Sequence, residues 1–184
     1  AFFLALLLAA LASFCRRDQL LVAHLSARLG QSGGLLAVAW LAACMTAGIA
    51  AFAGSALASI MPGPAKQMLV AFALLLGAAE TLWPWKVRRP KEPTRSLFAI
   101  FIVLMAQQIG DGARFLILAL AVVLANPVLA GIGGAMGSGA ALTMGWMLGG
   151  DMDKLPLRAI RYVLAAAMAL AGIVIGLSAR GIIG

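Results

Sequence analysis

The long apolar segment 96–124 is interrupted near its middle by Gln108-Ile109-Gly110-Asp111-Gly112-Ala113-Arg114. Hydrocarbon cannot hydrate a carboxylate or a guanidinium, so such groups persist inside a membrane only where protein or a water-filled cavity surrounds them. A second polar stretch, Ser13-Phe14-Cys15-Arg16-Arg17-Asp18-Gln19, begins 95 residues earlier, inside the apolar segment 1–28. The pair predicts two kinked or broken membrane helices that build one site from two halves of the chain.

The composition is typical of a membrane protein. Of the 184 residues, 64% are hydrophobic and 11% are charged, and the mean hydropathy is +1.05. That leaves too little polar surface for a soluble domain. The formal net charge of +8 comes from bases that collect in short loops. Loop bases report membrane orientation and contact with anionic lipid, so we expect a lipid bilayer as partner and no nucleic acid.

The apolar segments predict an all-α, polytopic membrane protein. About 20 apolar residues cross the hydrocarbon core, and six segments meet this length: 1–28, 34–60, 66–86, 96–124, 127–150 and 157–180. Residues 1–86 would form a first three-helix repeat, 87–95 a basic loop and 96–184 a second three-helix repeat. Because each half has an odd number of spans, the second half would enter the membrane from the opposite side, as in transporters built from inverted repeats.

The basic residues predict the orientation of these spans. The connections after the first, third and fifth helices hold most of them, namely Arg28, then Lys86, Arg88, Arg89, Lys91 and Arg95, then Lys154, Arg158 and Arg161. On the opposite side Lys66 and Arg180 are nearly alone. The positive-inside rule therefore places the loop 87–95 in the cytoplasm and both termini outside.

The repeat, the six spans, the basic central loop and the Gln-Ile-Gly-Asp-Gly-Ala stretch together resemble the Gdt-type family. This is the calcium:cation antiporter two group of Golgi, thylakoid and bacterial manganese and calcium transporters. Its members carry a Glu-x-Gly-Asp-(Lys/Arg)-(Ser/Thr) motif in the first helix of each half, and the motif carboxylates are expected to hold the divalent cation. The resemblance spans essentially the whole chain. It implies proton-coupled transport of manganese or calcium, in a bacterial inner membrane.

The chain departs from the family motif in both halves. The second motif keeps Gly110 and Asp111, with Gln108 at the glutamate position, whereas in the first motif Ser13 and Arg16 stand at the glutamate and aspartate positions. On this resemblance Asp111 is the surviving ligand and proton acceptor, with Gln108 and Ser13 as neutral oxygen ligands. The other motif charges are Arg16, Arg17, Asp18 and Arg114.

These charges leave two further interpretations open. Two carboxylates stand against three guanidinium groups, and the excess positive charge disfavours a dication, which needs hard oxygen ligands. The groups can instead be buried salt bridges that lock the broken helices, as in a transport-inactive relative acting as an accessory or structural subunit of a larger membrane complex. A transported anion, attracted by the arginines, is the other interpretation.

No enzymatic activity and no resident cofactor are expected, because the sequence contains no nucleophile–base pair, metal-binding histidine set or phosphate loop. Two titratable residues outside the clusters receive structural interpretations. Glu80 precedes Trp83 and Trp85 and is expected to be an interfacial carboxylate beside an aromatic belt. His24 is expected to be a packed or interfacial residue.

Overall fold

The computed structural model describes residues 2–83 and 95–182, and within these ranges it contains helices and no β-strand. The predicted basic loop 87–95 lies outside the described residues, except for Arg95. The helices are α1 (Phe2–Ser13), α2 (Arg17–Leu29), α3 (Gly33–Ala58), α4 (Gly63–Leu82), α5 (Leu97–Ile109), α6 (Gly112–Leu124), α7 (Pro127–Leu148) and α8 (Leu157–Ala179). The connection Gly149–Lys154 between α7 and α8 forms a 3-10 helix.

Several of these helices match the requirements of a membrane span. Four of them, α3, α4, α7 with its 3-10 extension, and α8, are long and apolar enough to cross a membrane, and α5 with α6 forms a fifth candidate. Helix α1 is apolar but has 12 residues, which cover about 18 Å at 1.5 Å per residue. The all-α prediction is confirmed, and the apolar helices are compatible with a multi-pass membrane protein.

The distribution of side chains also suits a lipid environment. Large apolar side chains point outward, among them Phe52, Phe3 and Phe98, whose exposed fractions are 77%, 75% and 74%. The interior combines many small residues with buried aliphatic side chains such as Leu74, Leu116 and Leu142, and with a set of polar groups. Helices in membranes pack through small residues and satisfy buried polar groups with one another, so this arrangement is the one expected where lipid replaces water as the outer solvent.

The helix boundaries repeat along the chain. Helices α1 and α5 begin at residues 2 and 97, and α2 and α6 begin at 17 and 112, so the offset is 95 for both pairs. Helices α3 and α7 begin at 33 and 127, and α4 and α8 begin at 63 and 157, an offset of 94. Each half therefore consists of two short helices followed by two long ones. The two breaks predicted from the polar stretches are confirmed, at residues 14–16 and 110–111.

Close backbone contacts hold this arrangement together. Helix α7 packs on α1, α2, α3 and α6, and α4 packs on α8 and α6. A Cβ added at Gly133 of α7 would lie 2.5 Å from the carbonyl oxygen of Phe2 in α1. A Cβ added at Gly112 of α6 would lie 2.9 Å from the Cα of Gly77 in α4. Both contacts require glycine, because any side chain would force the helices apart.

Candidate functional site

The two helix breaks have the same backbone geometry at the start of the helix that follows. Arg16 is the N-cap of α2, with φ −89° and ψ 166°, and Asp111 is the N-cap of α6, with φ −91° and ψ 157°. At the second break the axes of α5 and α6 are bent by 59°. At the first break Cys15 adopts a left-handed conformation, with φ 58°. The first break thus presents a basic side chain where the second presents an acidic one.

Two carboxylates accept hydrogen bonds from backbone N–H groups in the first turn of α6. The first backbone N–H groups of a helix have no partner within it. Asp111 accepts a hydrogen bond from the Arg114 backbone N–H at 2.8 Å, and Glu80 accepts one from the Gly112 backbone N–H at 2.7 Å through Oε2. Negative charge is favourable at a helix N-terminus. The second break is therefore stabilised by one carboxylate from its own span and one from α4.

The Arg114 guanidinium lies at the centre of a buried polar network. Its side chain is 2% exposed. It donates from Nη2 to Gln108 Oε1 at 2.8 Å, from Nε to Thr46 Oγ1 at 2.9 Å and from Nη1 to Ser138 Oγ at 3.2 Å. Its Nη1 also lies 3.8 Å from Asp111 Oδ2. Arg114 therefore joins α3, α5 and α7 to the start of its own helix.

The network continues to the first break through two predicted site residues. The Ser13 hydroxyl donates to Ser138 Oγ at 3.1 Å. Gln108 Nε2 donates to Asp18 Oδ2 at 3.1 Å. The structure thus brings Ser13, Asp18, Gln108 and Arg114 into one connected set, as the pairing of the two polar stretches predicts.

Arg16 reaches from the first break to the carboxylates of the second. Its side chain is 6% exposed. Its Nη2 lies 2.5 Å from Glu80 Oε1 and 3.8 Å from Asp111 Oδ2. Arg16 is therefore held chiefly by its ion pair with Glu80, and its Nη1 makes no hydrogen bond to any described residue. Arg17 is partly buried and lines a small cavity of about 50 Å³ with Arg16 and Glu80.

A larger cavity of about 710 Å³ adjoins the second break. It lies between α3, α4 and the α5–α6 break, and its polar lining comes from Thr46, Glu80, Asp111 and Arg114. Most of the remaining lining is apolar, from Ile49, Ala50, Ala53, Leu76, Ala79, Trp83, Ile109, Phe115 and Leu118. Of the three ligands that the resemblance implies, Asp111 lines this cavity, whereas Gln108 and Ser13 lie in the buried network.

Glu80 and Arg161 add to the charges expected for the site. The two sequence stretches hold two carboxylates and three guanidinium groups. Glu80 adds a third carboxylate, and Arg161, which lines the small cavity beside Glu80, adds a fourth guanidinium, so the positive excess of one remains. In residues 2–83 and 95–182, no three side chains of the types His, Cys, Asp and Glu are grouped to hold a metal ion. The carboxylates are separated by arginines rather than gathered around one point.

The sequence argument missed four residues of this network. Glu80 was expected at the membrane interface, although it was a carboxylate near the end of a predicted span, which is itself a sign of function. Thr46 and Ser138 gave no signal beyond being hydroxyl residues in apolar helices. Gln19 is the last residue of the first polar stretch but was not predicted as a site residue. It accepts from the Cys15 backbone N–H at 2.7 Å and donates to the Ala141 carbonyl at 2.7 Å.

His24 lies apart from this network, in a separate cavity of about 100 Å³ that Met152 and Asp153 also line.

Comparison with known protein families, curated proteins and solved structures finds no match for this chain.

Proposed function

We propose that the chain is a six-span membrane protein built from two inverted repeats, with α1–α2 and α5–α6 as broken spans. The near-constant offset of 94 to 95 residues between equivalent helices supports the repeat. The shared N-cap geometry of Arg16 and Asp111 supports it further. Broken spans are tolerated in membranes where the freed backbone groups find protein partners or line a cavity, and both breaks meet this condition.

The proposed location is a bacterial inner membrane, with the central loop 87–95 in the cytoplasm and both termini outside. The distribution of basic residues supports the orientation. The compartment follows from the resemblance to the Gdt-type family.

The proposed function is secondary transport of a divalent cation, manganese or calcium, coupled to proton exchange. One observation carries it: Glu80 and Asp111, from two different spans, line one cavity at the break of a bent span. Carboxylate oxygens are the ligands that both ions prefer. Transporters commonly place their ion sites where broken helices meet near the bilayer midplane. Asp111 would act as ligand and proton acceptor, and Glu80 as the second carboxylate.

A specific observation favours a second function, that of a transport-inactive accessory or structural subunit of a membrane complex. Arg114 uses its guanidinium to bind Gln108, Thr46 and Ser138, and the Gln108 oxygen is one of the neutral ligands that the resemblance implies for a cation. A network closed in this way stabilises helix packing without any ion. The two functions differ in whether the carboxylates at the cavity can be released from their arginines.

Flux measurements separate these two functions. Purified protein in proteoliposomes is supplied with Mn²⁺ or Ca²⁺ under an imposed proton gradient, beside the variants Asp111→Asn and Glu80→Gln. The matched control is Asp151→Asn, because the Asp151 side chain is 66% exposed and lies in the 3-10 helix. Cation transport predicts flux in the wild type and control, and its loss in both cavity variants.

Two results would count against transport at this site. A folded wild type without flux, under either a proton or a cation gradient, would favour the accessory function. Flux that survives in both cavity variants would place the ion route elsewhere in the protein.

A further inference from the structure

We propose that Arg16 acts as a tethered cation, which neutralises Glu80 and Asp111 in place of a transported ion and must release them before a free divalent cation binds. This inference rests on the same cavity as the proposed transport function. It concerns a different property, the competition between a side chain of the protein and the ion.

The position of the guanidinium is the first argument. Arg16 Nη2 lies 2.5 Å from Glu80 and 3.8 Å from Asp111, the two carboxylates that line the large cavity. Glu80 also lines the small cavity, on which Arg16 lies. The guanidinium therefore approaches Glu80 from the side of the small cavity. An ion in the large cavity would approach the same carboxylate from the opposite side. Both would neutralise the same carboxylates.

The way in which Arg16 is held is the second argument. Arg114 makes three side-chain hydrogen bonds to neutral groups, and these fix its orientation. Arg16 instead reaches both Glu80 and Asp111 through the one atom Nη2, and its Nη1 makes no hydrogen bond in the described part of the chain. A guanidinium that donates several hydrogen bonds is strongly oriented, and one held through a single nitrogen is less so. Of the two buried arginines, Arg16 is thus the one that a competing cation can displace.

The backbone position of Arg16 is the third argument. It is the N-cap of α2, and no side chain caps this helix, whereas Asp111 caps α6 with its own carboxylate. The Arg16 side chain is therefore not required to start its helix. It can instead extend to the break between α5 and α6, where it adds a positive charge beside two carboxylates.

Equilibrium binding of Mn²⁺ to the purified protein in detergent tests this proposal, with free Mn²⁺ followed by its electron paramagnetic resonance signal. Arg16→Gln removes the charge and is expected to bind Mn²⁺ at least about tenfold more tightly than the wild type, because a like charge leaves the site. Arg16→Lys keeps the charge and is expected to bind like the wild type. Arg28→Gln, an exposed residue in the last turn of α2, is the matched control.

Two further variants make the test specific. Adding Asp111→Asn to Arg16→Gln is expected to abolish the tighter binding. Adding Glu80→Gln to Arg16→Gln removes both members of the ion pair and protects the fold from an unpaired carboxylate. This variant should bind no more tightly than the wild type, since it loses one ligand carboxylate together with the Arg16 charge. Unchanged or weaker affinity in folded Arg16→Gln would overturn the proposal.

Binding and flux also separate this inference from the transport function. Tighter binding by Arg16→Gln, without flux in the wild type, would reject transport and support the tethered cation. Flux in the wild type, with unchanged affinity in Arg16→Gln, would support transport and reject the tethered cation.

Discussion

Replacing Arg114 by methionine should destabilise the protein more than any other single change in the network. Methionine fills a similar volume and removes the guanidinium. The three hydrogen bonds to Gln108, Thr46 and Ser138 disappear, and Asp111 loses a cation 3.8 Å away. The wild-type arginine is 2% exposed, so water cannot replace these contacts.

Two estimates bound the loss in the free energy of unfolding, one from the hydrogen bonds alone and one from the whole ion pair. Side-chain hydrogen bonds within a bilayer contribute about 0.6 kcal/mol each on average, so three of them amount to roughly 2 kcal/mol. Removing one partner of a buried ion pair typically costs about 3–5 kcal/mol in total. Because Asp111 keeps Arg16 at 3.8 Å, we expect the lower part of that range, about 3 kcal/mol.

Unfolding in mixed micelles, titrated with sodium dodecyl sulfate, measures this loss. Tryptophan fluorescence is a suitable signal, because Trp40 donates to Thr143 and Trp146 donates to the Ser32 carbonyl across helix contacts. Arg28→Met, at an exposed position of α2, is the control. Arg114→Lys keeps the charge, loses the planar geometry and should fall between the wild type and Arg114→Met. A loss below about 1 kcal/mol for Arg114→Met, or one equal to that of the control, would refute the reasoning.

Two other changes test the packing and the first break by the same titration. Gly137→Ala should lower the free energy of unfolding by about 1–3 kcal/mol, since its Cβ would overlap the α1 backbone. The control Gly48→Ala, whose added Cβ would have nothing within 4 Å, should be neutral or stabilising. Equal effects of the two substitutions would disprove the close contact. Gln19→Leu should cost about 1–3 kcal/mol, because it leaves the Cys15 N–H without its partner and removes the second hydrogen bond to the Ala141 carbonyl. A neutral result would mean that other partners replace the amide.

The helix breaks could be predicted from the sequence because their cause is local. Asp111 and Arg16 interrupt long apolar segments, and hydrocarbon tolerates such groups only where protein or water surrounds them. The helix boundaries followed from the lengths of the apolar segments. The convergence of Ser13, Asp18 and Gln108 agrees with the prediction that the two polar stretches build one site.

The partners from other helices could not be predicted in the same way. Thr46 and Ser138 lie in α3 and α7, which are apolar or small on every face, so their sequences do not reveal which face turns inward. Glu80 contacts Arg16 only because α4 crosses the second break at a particular rotation. That rotation depends on the Gly77–Gly112 contact, a property of three-dimensional packing rather than of either segment.

The same contact determines what the surrounding lipid can reach. A Cβ on Gly112 would lie 2.9 Å from the Gly77 Cα, so the backbones of α4 and α6 touch with no side chain between them. An acyl chain cannot pass through a crossing that has no room for one methyl group. In a membrane, the crossing would therefore shield the carboxylates of Glu80 and Asp111 from lipid on that side, and the large cavity that both line would be their shared route of solvation.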